Sequence, residues 1–177
     1  EFATLQSDRV DYRGQYVGAV IAETYEVARH AASLVEISYE EEPHDSVLHR
    51  ESDDLYAPEI VNAGFPTDTD EGDFDSSFSS APVKLDETYT TPTEHNNPME
   101  PHTTVALWEG GNLTLYESTQ GAHPVGRTVA KVFGLDRDRV RVVAPYVGGG
   151  FGSKGLPHAN TMLAALAAQM VEGRPIK

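Results

Sequence analysis

Four side chains able to move protons or bind a metal ion, Glu94, His95, Glu100 and His102, stand within "EHNNPMEPH" (94–102). No two of them are spaced i and i+4, as one face of a helix would need, and Pro98 and Pro101 point to an extended entry into a strand. Metal ligation and plain strand entry both fit these residues. Further on, "ESTQGAH" (117–123) sets Ser118, Thr119 and Gln120 at the end of one apolar run and the start of another. Either hydroxyl could cap a following helix, and the Gln120 amide could instead donate into a pocket. The densest signal is "VGGGFGSKG" (147–155), where five glycines fall between Gly148 and Gly155 around Phe151 and Lys154. Glycines let backbone N–H groups approach a ligand without Cβ in the way, and a helix start adds a positive dipole end. An oxygen-rich or anionic cofactor is therefore expected at this loop.

Familiar phosphate loops fit poorly. A Walker A loop needs a glycine before its lysine and Ser or Thr after it, whereas Lys154 lies between Ser153 and Gly155. A literal G-x-G-x-x-G does exist at Gly150, Gly152 and Gly155, so a nicotinamide dinucleotide-binding enzyme is one rival reading. Leu156-Pro157 separates these glycines from the next helix, and the acidic ribose partner would have to be Glu172. "DTDEGDFD" (68–75) fails as a calcium loop, because glycine stands at position 72 where an oxygen ligand is needed. Glu40 to Glu42 read as a solvated strand end.

The elements that must position these residues follow from periodicity. "YVGAVIAET" (16–24) and "VEISYEEEP" (35–43) read as strands, flanking a helix capped by Thr24 with Val27, Ala28, Ala31, Leu34 and Val35 on one face. Residues 57–82, rich in Pro, Gly, Ser and Asp, read as an acidic connection. "VKLDETYTT" (83–91) alternates as a strand. Residues 103–119 read as a hairpin turning at Gly110-Gly111. A helix over 122–134 has Pro124 in its first turn and Gly134 at its C-terminal end, and a strand covers 139–145. The span 157–173 is apolar on nearly all faces and reads as a buried helix, and "RPIK" as the beginning of a strand.

Composition narrows the classes. With 13 basic against 28 acidic residues, the net charge of −15 disfavours nucleic-acid binding. No apolar run is long enough to cross a bilayer. The absence of cysteine removes disulfides, thiolate zinc sites, iron–sulfur clusters and cysteine nucleophiles from these 177 residues. The opening "EFATLQSDRV" has neither the basic nor the apolar part of a signal peptide and no Met, and it reads as the interior of a longer chain.

Three blocks in register, E-H-x-x-x-x-E-P-H at 94–102, S-T-Q at 118–120 and G-G-G-F-G-x-K at 148–154, strongly resemble the molybdenum-cofactor-binding subunit of the xanthine dehydrogenase and aldehyde oxidase family. Their spacing agrees as well, with 31 positions from Gln120 to Phe151. "VDYRGQYVGAVIAETYEVARHAASLVEISYEEEP" (10–43) resembles the tail of the α/β hammerhead domain that precedes the molybdenum domain in that family. The resemblance implies a mixed α+β chain: a partial hammerhead over 1–56, the acidic connection over 57–82, and the N-terminal part of a molybdopterin-binding domain over 83–177.

It also implies a molybdenum–pterin cofactor, in bacterial members usually a molybdopterin cytosine dinucleotide, whose metal is held by the cofactor and by no protein side chain. The implied reaction is oxidation of an aldehyde or N-heterocycle by Mo–OH attack, with hydride passing to a sulfido ligand. Electrons would leave through FAD and 2Fe–2S clusters on partner subunits or domains. By this resemblance Gln120 is the catalytic and cofactor-binding glutamine that reaches the apical oxo ligand, and Gly149, Gly150, Phe151 and Gly152 border the molybdenum ligands. Gly148 to Gly150 would lack Cβ atoms to leave room for the metal–pterin head. Glu100 aligns with a glutamate near the substrate pocket. Gly155 stands where mammalian purine oxidisers carry a substrate-contacting glutamate, a departure that points to aldehyde-oxidising relatives. The glutamate that acts as base lies beyond these residues, so the chain by itself is expected to be inactive. A cytoplasmic location is expected, with the periplasm as the alternative. A non-catalytic assembly module is the second rival.

Overall fold

A computed structural model describes residues 4–61 and 64–177; residues 1–3 of the opening segment and 62–63 of the acidic connection lie outside the described residues. The chain divides into two compact units, one of residues 1–36 with 93–177 and one of residues 37–92.

The first unit is built on a sheet of three strands in the order β1 (Thr104–Glu109), β2 (Asn112–Glu117), β3 (Val140–Val143). The β1–β2 hairpin forms as its pattern predicts. Gly110 and Gly111 carry φ of +56° and +75°, the positive pair of a type I′ turn that only glycine adopts cheaply. β3 joins β2 in parallel, which requires a crossover, and helix α3 (Ala122–Val132) supplies it. The end of α3 is a Schellman arrangement: Leu135 N–H reaches the Ala130 carbonyl at 2.8 Å and Gly134, at φ +63°, reaches Lys131. The free edge of β1 takes two hydrogen bonds with Ile176, so "RPIK" does begin a strand pairing.

Helix α4 (Ala159–Met170) is buried along Thr161, Met162, Ala164, Ala165, Ala167 and Ala168. Alanines let it lie close against β1. Trp108 fixes that approach by donating its indole N–H to the Ala165 carbonyl at 2.7 Å. Leu113, Leu115, Val125, Val129 and Val140 fill the space between sheet and helices. Each such side chain contributes about 1.5–3 kcal/mol of burial. Beside this core, Glu117 is buried and accepts from the hydroxyls of Thr104 (2.6 Å) and Thr161 (2.9 Å), and Asn160 donates to Thr104.

Helix α1 (Tyr25–Ser33) forms where expected, with Thr24 Oγ1 accepting from Val27 N–H. None of its residues is buried, so its apolar stripe is left open. The strands expected over 16–24, 35–43 and 83–91 do not form among the described residues. A strand exists only as one side of a ladder, and these segments meet no partner strand here. The second unit includes the acidic connection of 57–82, which carries some structure of its own. It contains helix α2 (Phe74–Ser80), started by Asp73 accepting from Ser76 N–H and stiffened by stacking of Phe74 on Phe78. It also contains a bridge between Ile60 and Pro66.

Candidate functional site

The glycine loop runs from the end of β3 to the start of α4, and its core is a tight turn. Ser153 N–H closes on the Gly150 carbonyl at 2.8 Å, and the residues between them, Phe151 and Gly152, carry φ of +51° and +91°. This is again the positive pair of a type I′ turn, here with phenylalanine at a position that suits glycine. A bulky residue in that region carries strain of about 1–2 kcal/mol. Strain of this kind gathers at functional sites. Phe151 is 72% exposed, so burial of its own ring does not offset the strain. Polar side chains do fix its peptide: Asn96 donates to the Phe151 carbonyl at 2.7 Å. His102 and His158 both direct Nε2 at the Ser153 carbonyl, their rings meeting edge to face at 4.8 Å.

Gln120 lies against this turn. Its N–H and the Thr119 hydroxyl both donate to the Lys154 carbonyl. Its side-chain oxygen receives the N–H groups of Gly152 (3.2 Å) and Lys154 (3.3 Å). Two converging N–H donors demand an acceptor, so Oε1 faces the loop and Nε2 faces away from it. Nε2 has no partner among the described residues, and Gln120 is exposed.

Glu100 forms the second anchor. Its Oε2 accepts from Lys154 Nζ at 2.5 Å, from Ser118 Oγ at 2.7 Å and from Gly148 N–H at 2.7 Å. Lys154 Nζ also donates to the Glu100 carbonyl at 2.8 Å. The lysine is 1% exposed, while the glutamate side chain keeps 37% of its surface. Hydrogen bonds from Lys154, then from Ser118 and Gly148, hold the Glu100 carboxyl down at about 2. Ser118 and Thr119 are thus both engaged outside helix capping. The cap of α3 is Gly121, whose N–H is taken by Thr119 Oγ1.

The fold itself leaves no room for side chains at three of the glycines. A Cβ on Gly148 would stand 2.7 Å from Glu100 Cβ, one on Gly149 2.9 Å from the Phe151 ring, and one on Gly150 2.7 Å from Gln120 Cδ. The Cβ positions of these three glycines are thus taken up by the chain's own Glu100, Phe151 and Gln120. Gly152 needs its positive φ and faces open space, and Gly155 packs on the Gly152 carbonyl.

The dinucleotide-fold rival fails on the same geometry. Residues 144–158 separate β3 from α4, far from a tight strand-to-helix turn. The N–H groups of Gly148, Gly152, Ser153, Lys154 and Gly155 are already bonded within the chain and cannot cradle a diphosphate. Glu172 follows the end of α4. Within 148–155 the N–H groups of Gly149, Gly150 and Phe151 have no partner among the described residues, and neither does the Gln120 Nε2 beside them. Of the possible metal ligands, Glu94 and His95 join none of these contacts, and no cluster of three or more His, Asp or Glu is found among the described residues. Sequence reasoning named Ser118 as a possible helix cap and Lys154 as part of the glycine motif without assigning either these contacts, and it missed Asn96.

Residues 56–177 match the molybdopterin cofactor-binding domain, and residues 1–43 match the aldehyde oxidase and xanthine dehydrogenase a/b hammerhead domain. The chain belongs to the molybdenum-binding aldehyde oxidase and xanthine dehydrogenase family. Among its relatives is the aldehyde oxidoreductase molybdenum-binding subunit PaoC of Escherichia coli (strain K12). That protein is 40% identical over 95% of this chain, which spans 22% of its length. The xanthine dehydrogenase/oxidase of Mus musculus is 32% identical over 96% of the chain, covering 12% of that protein. Among solved structures, quinoline 2-oxidoreductase from Pseudomonas putida 86 superposes with a TM-score of 0.65 at 26% identity, covering 87% of this chain and 20% of that one. The mixed α+β architecture agrees with these matches.

Proposed function

We propose that this chain is the part of a molybdenum hydroxylase large subunit that presents the glycine loop and Gln120 to a molybdenum–pterin cofactor. The observation that carries this reading is the fixed Gln120 amide. Its oxygen is consumed by two loop N–H groups, so its Nε2–H donors are left free for an acceptor outside the loop. An oxo ligand is such an acceptor. The residues suit the group, because unspent donors at Gly149, Gly150, Phe151 and Gln120 stand beside an exposed phenyl ring on a rigid turn. When bound, the cofactor supplies a hydroxyl that attacks an electron-poor carbon and an acceptor for hydride.

The chain's residues would bind and orient. Gln120 would donate to an oxo ligand, the Phe151-Gly152 turn would border the metal ligands, and Gly155 would leave room in the substrate pocket. The whole protein would oxidise aldehydes or N-heterocycles and pass electrons to FAD and 2Fe–2S centres on partner subunits. A cytosine dinucleotide form of the cofactor and a cytoplasmic or periplasmic location belong to the same proposal. So do the division at 1–56, 57–82 and 83–177, and inactivity of these residues by themselves. No described helix is long and apolar enough to cross a membrane.

The test uses the full-length protein assembled with its neighbouring subunits. Molybdenum and pterin are quantified in the wild type, Gln120→Ala and Phe151→Ala. Near-stoichiometric molybdenum in the wild type, lowered in the variants, is expected, together with aldehyde-dependent reduction of an electron acceptor. A folded, fully assembled wild type without molybdenum would end this reading.

A further inference from the structure

We propose that Glu100 and Lys154 are positioning residues that act as one clamp on the glycine loop, rather than contacts to substrate. The proposal rests on the functional reading above for its consequence in catalysis, though not for the clamp itself.

Lys154 lies four residues after Gly150 in the loop, and its ammonium is carried entirely out of solvent. A buried ammonium is tolerated only where its donors are met. Both of its acceptors belong to one residue, the Glu100 carbonyl and Oε2. The same Oε2 receives Gly148 N–H at the entry of the loop and the Ser118 hydroxyl at the end of β2. One carboxylate oxygen thus ties the loop's entry, its exit and the strand that carries Gln120 two residues on. The backbone of Lys154 closes the other side, since its N–H and C=O bond Gln120 Oε1 and Gln120 N–H. A shift of the lysine would therefore move the two N–H donors that hold the Gln120 amide in register.

Two observations weigh against direct chemistry by Glu100. Its Oε2 already accepts three donors. A carboxyl held at about 2 is also too weak a base to take a proton near neutral pH. What remains is placement, which small displacements are enough to spoil.

Glu100→Gln, Lys154→Met and the double variant are made in the full-length complex. Amide hydrogen exchange is followed in peptides covering 144–156, with α3 peptides as the fold control. Exchange in the loop should rise by about tenfold or more in each single variant, with α3 unchanged. The double variant should be no worse than the worse single, as for one shared contact. In whatever fraction holds molybdenum, kcat per molybdenum should fall about tenfold or more with KM within about twofold, because placement rather than binding is lost. The limbs of the pH–rate profile should not move.

Unchanged loop exchange in both single variants overturns the clamp. A raised KM with unchanged exchange makes Glu100 a substrate contact and also overturns it. Loosened exchange with kcat per molybdenum unchanged reduces the pair to a structural contact and overturns the positioning role. If Lys154→Met does not fold, as loss of α3 protection would reveal, Glu100→Gln decides alone. A wild type without molybdenum removes the functional reading, and loop exchange by itself then decides the clamp.

Discussion

Replacing Glu117 by glutamine should change how stability depends on pH, in a direction set by burial. Glu117 is 8% exposed, between the end of β2 and helix α4. Desolvation raises its pKa above the ordinary 4.5, and the Thr104 and Thr161 hydroxyls and the charge of His158 only partly oppose this. Between 4.5 and the raised folded value, the native state keeps a proton that the unfolded chain has released. Stability therefore falls as pH rises through that window, by up to ~1.4 kcal/mol per pH unit for one proton, and the loss is complete above the folded pKa. Glutamine has the same shape and no charge. Its oxygen can accept from one threonine while its NH2 donates to the other, so the core network survives.

Trp108, the chain's only tryptophan, sits in the adjoining core and reports its unfolding by fluorescence. Urea unfolding of wild type and Glu117→Gln is compared from pH 4.5 upward, the ordinary value for this carboxyl. The two should start close together at the acid end. The variant should then gain on the wild type as pH rises, with the gain levelling off once the buried carboxyl is ionised. Parallel curves across the range would mean that burial does not shift this group. A variant losing ground with rising pH would mean that the threonine bonds outweigh desolvation, and either result refutes the reasoning.

Phe151→Gly should stabilise the cofactor-free protein by up to about 1 kcal/mol, the released strain of about 1–2 kcal/mol being partly offset by the freer unfolded chain, while lowering molybdenum retention; a destabilised variant in urea would refute the strain. Gly150→Ala drives a methyl to 2.7 Å from Gln120 Cδ, so loop amide exchange should quicken and molybdenum content should drop, as elemental analysis would record. Leu115→Ala, at a fully buried site, should cost about 2–5 kcal/mol in the same unfolding assay. Leu48→Ala, at an exposed one, should stay within about 0.5 kcal/mol.

The sequence by itself determined what depends on neighbours along the chain. The Gly110-Gly111 turn, the alternation of β1 and β2, the glycine stop after α3 and the apolar span of α4 are local instructions, and each element formed. The three motif blocks also sufficed to indicate the family, because their order and spacing are properties of the chain alone. Tertiary structure decided whatever needed a partner. The segments at 16–24, 35–43 and 83–91 have strand patterns, yet a pattern supplies no opposing ladder. The parallel placement of β3 beside β2 depends on how α3 packs. Sequence could say that Cβ atoms are excluded at the glycines, and folding adds that Glu100, Phe151 and Gln120 stand at the Cβ positions of Gly148, Gly149 and Gly150. Lys154 stands out in the sequence only as the lysine of the glycine motif, with nothing to say that it is buried. Burial against a glutamate 54 positions away makes it part of the site, and contacts at that separation leave no periodic trace in the chain.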